Sequence, residues 1–332
     1  MMFNDKTILL TGGTGSFGKK FTEIVLGKYR PKKLIIFSRD ELKQFDMAKK
    51  FHPDKYPIRF FLGDIRDRQR LYRAFEGVNY VIHAAALKQV PALEYNPFEA
   101  VKTNIMGAEN IVDAAIDRGV EKVVALSTDK AVNPANLYGA TKLAMEKIFT
   151  AASVYSGSQN TSFSLVRYGN VLGSRGSVIP FFLELLNRGE KTLPVTDERM
   201  TRFWITLEQG VELVIKALRE GVGGEIFIPR IPSMKITELA KALCPDCSCK
   251  IVGIRPGEKV HETLISEDEA RTTVEEKNGF VILPQFALGK EDLKKYGNHK
   301  RVAEGFVYRS DLNTSFLSAG ELNGFIREME IE

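Results

Sequence analysis

The chain has 332 residues, of which 44% are hydrophobic and 27% are charged, and its formal net charge is +5. This composition is typical of a globular protein, and a charge so mild and so evenly spread argues against a nucleic-acid partner, although it suits a small anionic substrate. No apolar run approaches the roughly 18 residues of a membrane span, and the first residues do not resemble an export signal. We therefore expect a cytoplasmic protein with no membrane partner.

The first half of the chain alternates short apolar runs with helical stretches. Near-continuous apolar strands joined by helical crossovers predict a parallel sheet covered on both faces. The predicted fold class is therefore α/β, with a doubly wound parallel sheet of the Rossmann type. The predicted strands span residues 6–12, 32–38, 58–64, 78–85 and 120–128, and the helical stretches between them include 16–27, 68–77 and 104–119.

The alternation breaks near Gly176, after which helical stretches dominate and the last fifty or so residues are polar and weakly periodic. We expect a first domain and a smaller C-terminal lobe packed against it, with no flexible linker between them. The predicted first domain spans 1–175, with 201–228 returning to it, and the predicted second lobe comprises 176–200 and 229–332.

The three cysteines, Cys244, Cys247 and Cys249, lie within six residues of one another. Three thiols without a nearby histidine make an incomplete zinc site, so no metal is predicted. We expect reduced thiols in a loop.

A glycine-rich turn, "TGGTGSFG", follows the first predicted strand and opens the first predicted helix. Gly12, Gly15 and Gly18 allow a tight turn, close approach of a pyrophosphate, and packing of the helix on the strand. The helix N-terminus then faces the phosphates. This arrangement predicts a dinucleotide site, and the turn residues assigned to it are Gly12, Thr14, Gly15, Ser16, Phe17 and Gly18.

The end of the second predicted strand, "FSRDELK", selects the dinucleotide. Arg39 and Ser38, with Lys43 nearby, suit the 2′-phosphate of NADP, whereas an acidic residue would hold the ribose hydroxyls of NAD. Asp40 leaves NAD open as the second choice. Further along the sheet edge, we expect Asp64 and Ile65 to touch adenine, and Ala84 to Ala86 to let the cofactor lie against the backbone.

Tyr138 and Lys142 lie four residues apart, so on a helix their side chains share one face. A phenol has a pKa near 10, and we expect the adjacent ammonium and a positive nicotinamide ring to lower it toward neutrality. The phenolate would then remove a hydroxyl proton while a hydride leaves the same carbon atom. Thr128, at the end of the strand 120–128, would hydrogen-bond the oxygen being oxidised.

Asp129 and Lys130 follow Thr128 directly, at the edge of the sheet where ligands bind in such folds. Such a pair is usually a solvated surface turn, but its place at this edge, joined to Tyr138 by a short loop, favours a functional role.

The glycine turn, "STDK", the Tyr-x-x-x-Lys helix, "VRYGNVLGSRGSV" and "RPGEK" together resemble the extended short-chain dehydrogenase/reductase superfamily. Within it they are similar to the UDP-N-acetylglucosamine 4,6-dehydratases of the inverting type, which begin pseudaminic acid biosynthesis. The resemblance covers residues 5 to about 265. Retaining dehydratases typically carry Asp-Glu where this chain carries Asp129-Lys130.

The resemblance implies a reaction in which carbon 4 of the hexose is oxidised so that the carbon 5 proton becomes acidic. It implies Lys130 as the base at carbon 5, Asp129 as the acid that protonates the leaving hydroxyl of carbon 6, and inversion through Lys130. A lysine must be neutral to act as this base, and we expect Lys142 and partial burial to lower the pKa of Lys130. It also implies a UDP-sugar substrate and a homo-oligomer, often a hexamer. The further contacts that it implies are Thr103, Val171 and Arg175 to the cofactor, and Lys88, Asn170, Thr196 and Arg255 to the substrate.

Two alternatives stay open at the level of sequence. A UDP-sugar 4-epimerase of the same fold needs the tyrosine and the cofactor but not the Asp-Lys pair. An NADP-binding regulatory protein would need no reactive phenol, so the Thr128, Tyr138 and Lys142 set argues against it.

Overall fold

The computed structural model describes residues 2–156, 161–285 and 293–328. Its largest element is a nine-stranded sheet in the order β14-β15-β10-β6-β5-β4-β1-β2-β3. The strands of the structure are β1 (Thr7–Thr11), β2 (Lys33–Ser38), β3 (Ile58–Leu62), β4 (Tyr80–His83), β5 (Lys122–Thr128), β6 (Ser162–Tyr168), β7 (Asn170–Val171), β8 (Thr192–Val195), β9 (Thr201–Ile205), β10 (Ile226–Pro229), β11 (Ser233–Lys235), β12 (Ser248–Ile251), β13 (Thr263–Ile265), β14 (Thr273–Glu276), β15 (Gly279–Ile282) and β16 (Tyr308–Arg309).

Helices connect these strands, and several begin at a side-chain cap. Asp40, Asp67 and Asn136 each accept a hydrogen bond from a backbone N–H of the first turn, which satisfies a donor that has no partner inside the helix. The α-helices are α1 (Ser16–Lys28), α2 (Glu41–Lys50), α3 (Arg68–Ala74), α4 (Val90–Tyr95), α5 (Pro97–Ala100), α6 (Gly107–Asp117), α7 (Leu137–Tyr155), α8 (Val178–Asn187), α9 (Leu207–Glu220), α10 (Ile236–Leu243), α11 (Glu267–Ala270) and α12 (Ala319–Glu328). A π-helical segment (Val101–Met106) precedes α6.

Seven strands of the main sheet run parallel, as the sequence predicted. All five residues of β1 are buried, because helices cover both faces of the sheet. The chain passes from β1 to β2 and β3 and then returns to β4 on the other side of β1. This reversal opens a crevice at the carboxyl ends of β1 and β4, which positions the candidate site.

Two antiparallel strands, β15 and β14, complete the main sheet next to β10. Sequence analysis did not predict these strands and placed their residues in the second lobe, so the predicted lobe boundary is not where the sheet ends. The hairpin joins the sheet because β15 is buried along its whole length and pairs with the apolar strand β10.

The second lobe contains three small sheets, ordered β11-β9-β7, β12-β8 and β13-β16. It has its own apolar core, to which Leu172, Phe182, Trp204 and Leu239 belong. Because β7 follows β6 after a single residue, the chain leaves the main sheet at the crevice and enters the second lobe there.

A buried ion network ties the main sheet to β13 and α11. The Arg167 guanidinium lies 2.6 Å from the Glu146 carboxylate and 2.8 Å from the Glu269 carboxylate, and it donates to the carbonyl of Leu264. Removing one partner of such a buried network costs about 3–5 kcal/mol. The network therefore fixes the strand β13 relative to α7.

Cys244 and Cys247 are joined by a disulfide, and Cys249 is free. The expectation of three reduced thiols is therefore wrong: the turn after α10 brings the two Cα atoms within 5.3 Å, a separation that a disulfide spans. Among the described residues, no three His, Cys, Asp or Glu side chains are grouped to hold a metal ion. Within the same residues, no helix combines the length and apolar character needed to cross a bilayer.

Candidate active site

The glycine-rich turn lies between β1 and α1, as predicted. Gly12 has φ +66, and a Cβ atom there would lie 2.8 Å from the backbone of Ala85. Only glycine tolerates both the left-handed conformation and this close approach. Gly15 precedes α1 without a side-chain cap, so the first N–H groups of the helix have no side-chain acceptor at that position and can bind an anion.

A cavity of about 730 Å³ runs along the carboxyl edge of the sheet from this turn to α7. It contains nearly all of the predicted cofactor residues, although they come from seven separate segments of the sequence. The predicted residues that line it are Gly12, Thr14, Gly15, Ser16, Phe17, Ser38, Arg39, Asp40, Lys43, Asp64, Ile65, Ala84, Ala86, Lys88, Thr103, Thr128, Lys130, Tyr138, Lys142, Asn170, Val171 and Arg175.

At the end of β2, the two candidates for dinucleotide selection have different surroundings. Asp40 caps α2 by accepting from the Lys43 N–H at 3.0 Å, and its carboxylate lies 2.8 Å from the Lys43 ammonium. These hydrogen bonds lower the pKa of Asp40. The Arg39 side chain is 56% exposed, and its guanidinium lies 3.8 Å from the Asp64 carboxylate, which is a loose ion pair. The structure therefore leaves the guanidinium more accessible to a ligand than the carboxylate.

Asp64 lines the cavity, but its carboxylate is engaged by Arg66 at 2.7 Å. Burial raises its pKa, and the hydrogen bonds from Arg66 outweigh burial and lower the pKa overall. The charge at this position is therefore balanced before any ligand arrives.

Asp129 and Lys130 lie in a single 3-10 turn (Asp129–Ala131) that follows β5 directly. Asp129 is fully buried, and its Oδ1 accepts from the Thr128 hydroxyl at 2.8 Å and from the Lys130 ammonium at 3.1 Å. Within the described part of the chain its Oδ2 has no hydrogen-bond partner. Asp129 thus does not line the cavity itself but contacts two residues that do.

The prediction that the pKa of Lys130 is lowered is wrong. Burial does lower it, but the carboxylates of Asp129 and Glu262 outweigh burial and hold the pKa above its ordinary value. Glu262 Oε1 lies 3.5 Å from the Lys130 ammonium. Sequence analysis missed Glu262 because it lies 132 residues away along the chain, and no local pattern links the two positions.

Tyr138 and Lys142 lie one turn apart at the start of α7, and both line the cavity. Burial raises the pKa of the Tyr138 phenol to about 12, although Lys130 and a hydrogen bond with Thr128 act to lower it. The protein groups alone therefore do not produce the predicted lowering, and the cation that favours the phenolate is Lys130 rather than Lys142.

Lys142 is buried, and its ammonium donates to the carbonyl of Leu126 at 2.7 Å. Burial lowers its pKa to about 8, against the opposing effect of Glu146. The Lys142 side chain is therefore fixed against β5 and lines the cavity. Its ammonium loses a proton more readily than that of an exposed lysine.

Gly139 allows α7 to approach the turn that carries Lys130. A Cβ atom at this position would lie 2.1 Å from the Lys130 carbonyl oxygen and 3.0 Å from Pro134. The Asn136 side chain, which accepts from the Gly139 N–H at 2.8 Å, begins the helix at this point. Backbone contact between residues 130 and 139 thus brings Lys130 and Tyr138 together.

Three buried polar atoms on the cavity wall have no hydrogen-bond partner among the described residues: Thr103 Oγ1, Asn170 Oδ1 and Ser177 Oγ. A buried polar atom without a partner is costly, so such atoms indicate a polar ligand. Together with the close backbone approach at Gly12, they fit an elongated cofactor followed by a polar substrate. Ser177 was not predicted, since a serine before a helix is an ordinary N-cap residue.

Some predicted residues lie away from the cavity. Gly18 packs α1 on the turn, where a Cβ atom would lie 2.2 Å from the Gly13 carbonyl oxygen. Thr196 is buried and donates to the sulfur of Met200 at 3.2 Å, and Arg255 is exposed. The roles predicted for Thr196 and Arg255 in substrate binding stay predictions.

His83 ends β4 beneath the cavity. It is buried, stacks on Phe149 and shares a 2.9 Å hydrogen bond with the Thr11 hydroxyl. Burial, with a smaller effect from Lys142, lowers its pKa to about 3. A neutral imidazole in this place supports the sheet rather than the chemistry.

Comparison with known proteins places these features in a family. The sequence model of the polysaccharide biosynthesis protein family matches residues 8–284. The chain is 54% identical to the UDP-N-acetylglucosamine 4,6-dehydratase (inverting) of Campylobacter jejuni, over 99% of both chains. It is also 45% identical to the UDP-glucose 4-epimerase of Rickettsia rickettsii, over 81% of this chain and 80% of that one.

Among solved structures, Pen from Bacillus thuringiensis covers 100% of both chains with a TM-score of 0.90 and 39% sequence identity. The fold described above, including the second lobe, is therefore shared over its full length with a protein of known structure. The doubly wound α/β fold predicted from sequence is confirmed.

Proposed function

The chain belongs to the polysaccharide biosynthesis protein family, and we propose that it is an NADP-dependent UDP-N-acetylglucosamine 4,6-dehydratase that inverts carbon 5. The product would be UDP-2-acetamido-2,6-dideoxy-β-L-arabino-hex-4-ulose. The observation that carries the proposal is the hydrogen-bonded pair of Asp129 and Lys130, within one turn, beside Tyr138. An acid, a base and a phenol are the groups that oxidation followed by elimination of water requires.

Oxidation comes first because the hydrogen on carbon 5 becomes acidic only beside a ketone. Tyr138, as the phenolate, takes the proton of the carbon 4 hydroxyl. Lys142, one turn later on α7, is fixed against β5 by the hydrogen bond from its ammonium to the Leu126 carbonyl. NADP, held along the cavity by the glycine turn and Arg39, would supply the hydride chemistry at carbon 4 and carbon 6. Burial raises the pKa of Tyr138 to about 12, so the protein groups alone do not form the phenolate, and a cationic cofactor ring beside it would favour that form.

Elimination needs a neutral amine and a protonated acid at the same time. The 3.1 Å hydrogen bond between Lys130 and Asp129 can supply both, since a proton passed along it leaves Lys130 neutral and Asp129 protonated. Lys130 then takes the carbon 5 proton, and Asp129 gives its proton to the leaving hydroxide of carbon 6, which would have to reach the buried carboxyl group between the cavity-lining side chains of Thr128 and Lys130. Lys130 returns a proton to the opposite face of carbon 5, which inverts that centre.

After one turnover, Tyr138 has gained a proton and Lys130 has lost one. Thr128 is placed to join the two ends of this imbalance, because its hydroxyl donates to Asp129 at 2.8 Å and the same side chain acts to lower the pKa of Tyr138. A hydroxyl has one proton and two lone pairs, so it can accept from the phenol while it donates to the carboxylate. We infer that protons return from Tyr138 through Thr128 and Asp129 to Lys130.

The preference for NADP rests on the surroundings of the β2 end. Asp40 is engaged as the cap of α2 and by Lys43, whereas Arg39 is largely exposed beside Ser38. An exposed guanidinium and a nearby ammonium favour a 2′-phosphate, whereas an engaged carboxylate is a poor acceptor for ribose hydroxyls.

The resemblance to the inverting UDP-N-acetylglucosamine 4,6-dehydratases also supports a cytoplasmic homo-oligomer, with the hexamer as one form, that acts in pseudaminic acid biosynthesis. Light scattering of the purified chain measures the assembly directly. A monomer at micromolar concentration would contradict this part of the proposal.

One experiment tests the reaction. The chain is incubated with NADP and UDP-N-acetylglucosamine, and the product is examined by mass spectrometry and NMR. A dehydratase removes one water and gives a 4-keto sugar of inverted configuration at carbon 5. The alternative, a 4-epimerase, is the activity for which the Rickettsia relative is named, and it would leave the mass unchanged.

A further inference from the structure

A second carboxylate, that of Glu262, lies behind Lys130. Its residue precedes β13 and is 2% exposed. Its Oε1 lies 3.5 Å from the Lys130 ammonium and 3.8 Å from Arg202 Nε, and its Oε2 lies 3.9 Å from the Lys259 ammonium. In the described part of the chain Oε2 accepts no hydrogen bond. A buried carboxylate facing three cations and so weakly engaged is unusual for a purely structural residue.

The backbone of Glu262 is fixed by a segment near the C-terminus. Its N–H donates to the Ser310 hydroxyl at 3.0 Å, and its carbonyl accepts from the Ser310 N–H at 2.9 Å. The Ser310 hydroxyl also lies 2.6 Å from that of Thr201. The carboxylate is therefore held in position by hydrogen bonds at its own backbone rather than at its side chain.

The segment 257–262 is also docked on the loop that carries Lys130. The Asn136 side chain donates to the Gly257 carbonyl at 2.7 Å, and the Lys259 ammonium donates to the Val132 carbonyl. These contacts set the distance between Glu262 and Lys130 from both sides.

We propose that Glu262 is a positioning residue for the base: it holds Lys130 in the site and strengthens it while Asp129 is protonated. This inference rests on the proposed dehydratase function. When Asp129 carries the proton meant for the leaving hydroxide, it no longer stabilises a positive Lys130. Among the described residues, Glu262 is then the remaining carboxylate within 4 Å of the amine, and it stabilises the ammonium that forms as the carbon 5 proton is taken.

The sign of the effect follows from the charges around Lys130. Two carboxylates favour the charged form of Lys130, whereas the cations nearby disfavour it. The Tyr138 phenol also lies near this nitrogen. The groups concerned are Asp129 on the same turn, Glu262 before β13, Arg202 on β9, Lys259 before β13, Lys88 before α4 and Tyr138 on α7. Loss of the Glu262 charge therefore makes Lys130 less basic and moves its titration to lower pH.

The test is Glu262→Gln, which keeps the shape and removes the charge. The rate at which a trace acylating reagent modifies Lys130 is followed against pH by peptide mass spectrometry, without substrate. We expect the midpoint to fall by about 1 to 3 pH units. With UDP-N-acetylglucosamine, we expect the kcat at the high-pH plateau to fall about 10- to 100-fold while KM changes little.

Glu225→Gln is the matched control, since Glu225 is also buried and lies 3.3 Å from a lysine, Lys295, away from the site. It should leave the Lys130 midpoint where it is. An unchanged midpoint in Glu262→Gln overturns the inference. If the wild-type chain forms no 4-keto product while the midpoint still moves, the proposed function fails and the contact stands.

Ser310→Ala keeps the test decisive if Glu262→Gln does not fold. It releases the backbone of Glu262 without removing a charge from the site. We expect a smaller fall of the midpoint and a lower plateau kcat. No change in either quantity overturns the inference.

Discussion

The Lys130 ammonium and the Thr128 hydroxyl donate to the same oxygen, Oδ1 of Asp129, at 3.1 Å and 2.8 Å. One carboxylate oxygen therefore connects the base to the hydroxyl that reaches the phenol. This shared acceptor makes the Asp129 side chain the junction of the proton transfers in the proposed reaction, although it lies outside the cavity wall.

Lys130→Ala should abolish the dehydration while NADP still binds. Removal of a general base costs about 10²–10⁴-fold in rate. In D2O the wild-type product should carry one deuterium at carbon 5, because Lys130 exchanges the proton that it takes, and the variant should form no such product. Lys241→Ala, an exposed lysine on α10, is the control. Normal turnover by Lys130→Ala would remove the lysine from the mechanism.

Thr128→Val should allow the first turnover and slow the later ones. Without the hydroxyl, the proton gained by Tyr138 has no direct route back to Asp129. Rapid-quench measurements should show a burst of about one product per site, followed by a steady rate lowered roughly 10-fold. Thr128→Ser keeps the hydroxyl and should show no burst. Equal steady rates in the two variants would contradict the relay.

Arg39→Ala should weaken NADP binding about 10- to 100-fold and leave NAD binding nearly unchanged. A charge-assisted hydrogen bond to phosphate contributes roughly 1.5–3 kcal/mol, and NAD has no 2′-phosphate to lose. Dissociation constants for both dinucleotides measure the effect, with Lys49→Ala on the outer face of α2 as the control. An equal loss for both cofactors would show that Arg39 does not select between them.

His83 should make the fold less stable in acid. Burial lowers its pKa to about 3 in the folded chain, whereas an exposed imidazole has a pKa near 6.5, so the unfolded chain binds a proton that the folded chain does not. The contribution of neutral His83 to the free energy of unfolding is fully present above pH 6.5. It is lost as the pH drops toward 3, and the loss is about 2 kcal/mol at pH 5.

Urea unfolding at pH 7.5 and pH 5 measures this loss, and His83→Gln should lose about 2 kcal/mol less than the wild type between the two. His52→Gln, at an exposed histidine, should behave as the wild type does. If His83→Gln shows the full wild-type loss, the acid sensitivity has another origin.

The sequence predicted those features that depend on neighbours along the chain. The glycine turn, the parallel strands and the helical spacing of Tyr138 and Lys142 are local patterns, and the structure reproduces each of them. The predicted cofactor residues converge on one cavity because the carboxyl ends of parallel strands meet at one edge.

The electrostatics of the site were not predictable in the same way. The pKa of Lys130 is set in part by Glu262, whose place depends on Ser310 and on the docking of the second lobe. Likewise β15 joins the sheet by pairing with β10, about fifty residues earlier in the chain, and β14 joins it through β15. Contacts between distant segments leave no periodic signal in the sequence.

The absence of a side chain at Gly139 has a consequence for how the enzyme can vary. A single added methyl group would collide with the Lys130 carbonyl oxygen and force α7, which carries Tyr138, away from Lys130. Catalysis therefore depends on a residue that contacts no reactant. Gly139→Ala, the smallest possible enlargement, would separate Lys130 from Tyr138 although both side chains are unchanged.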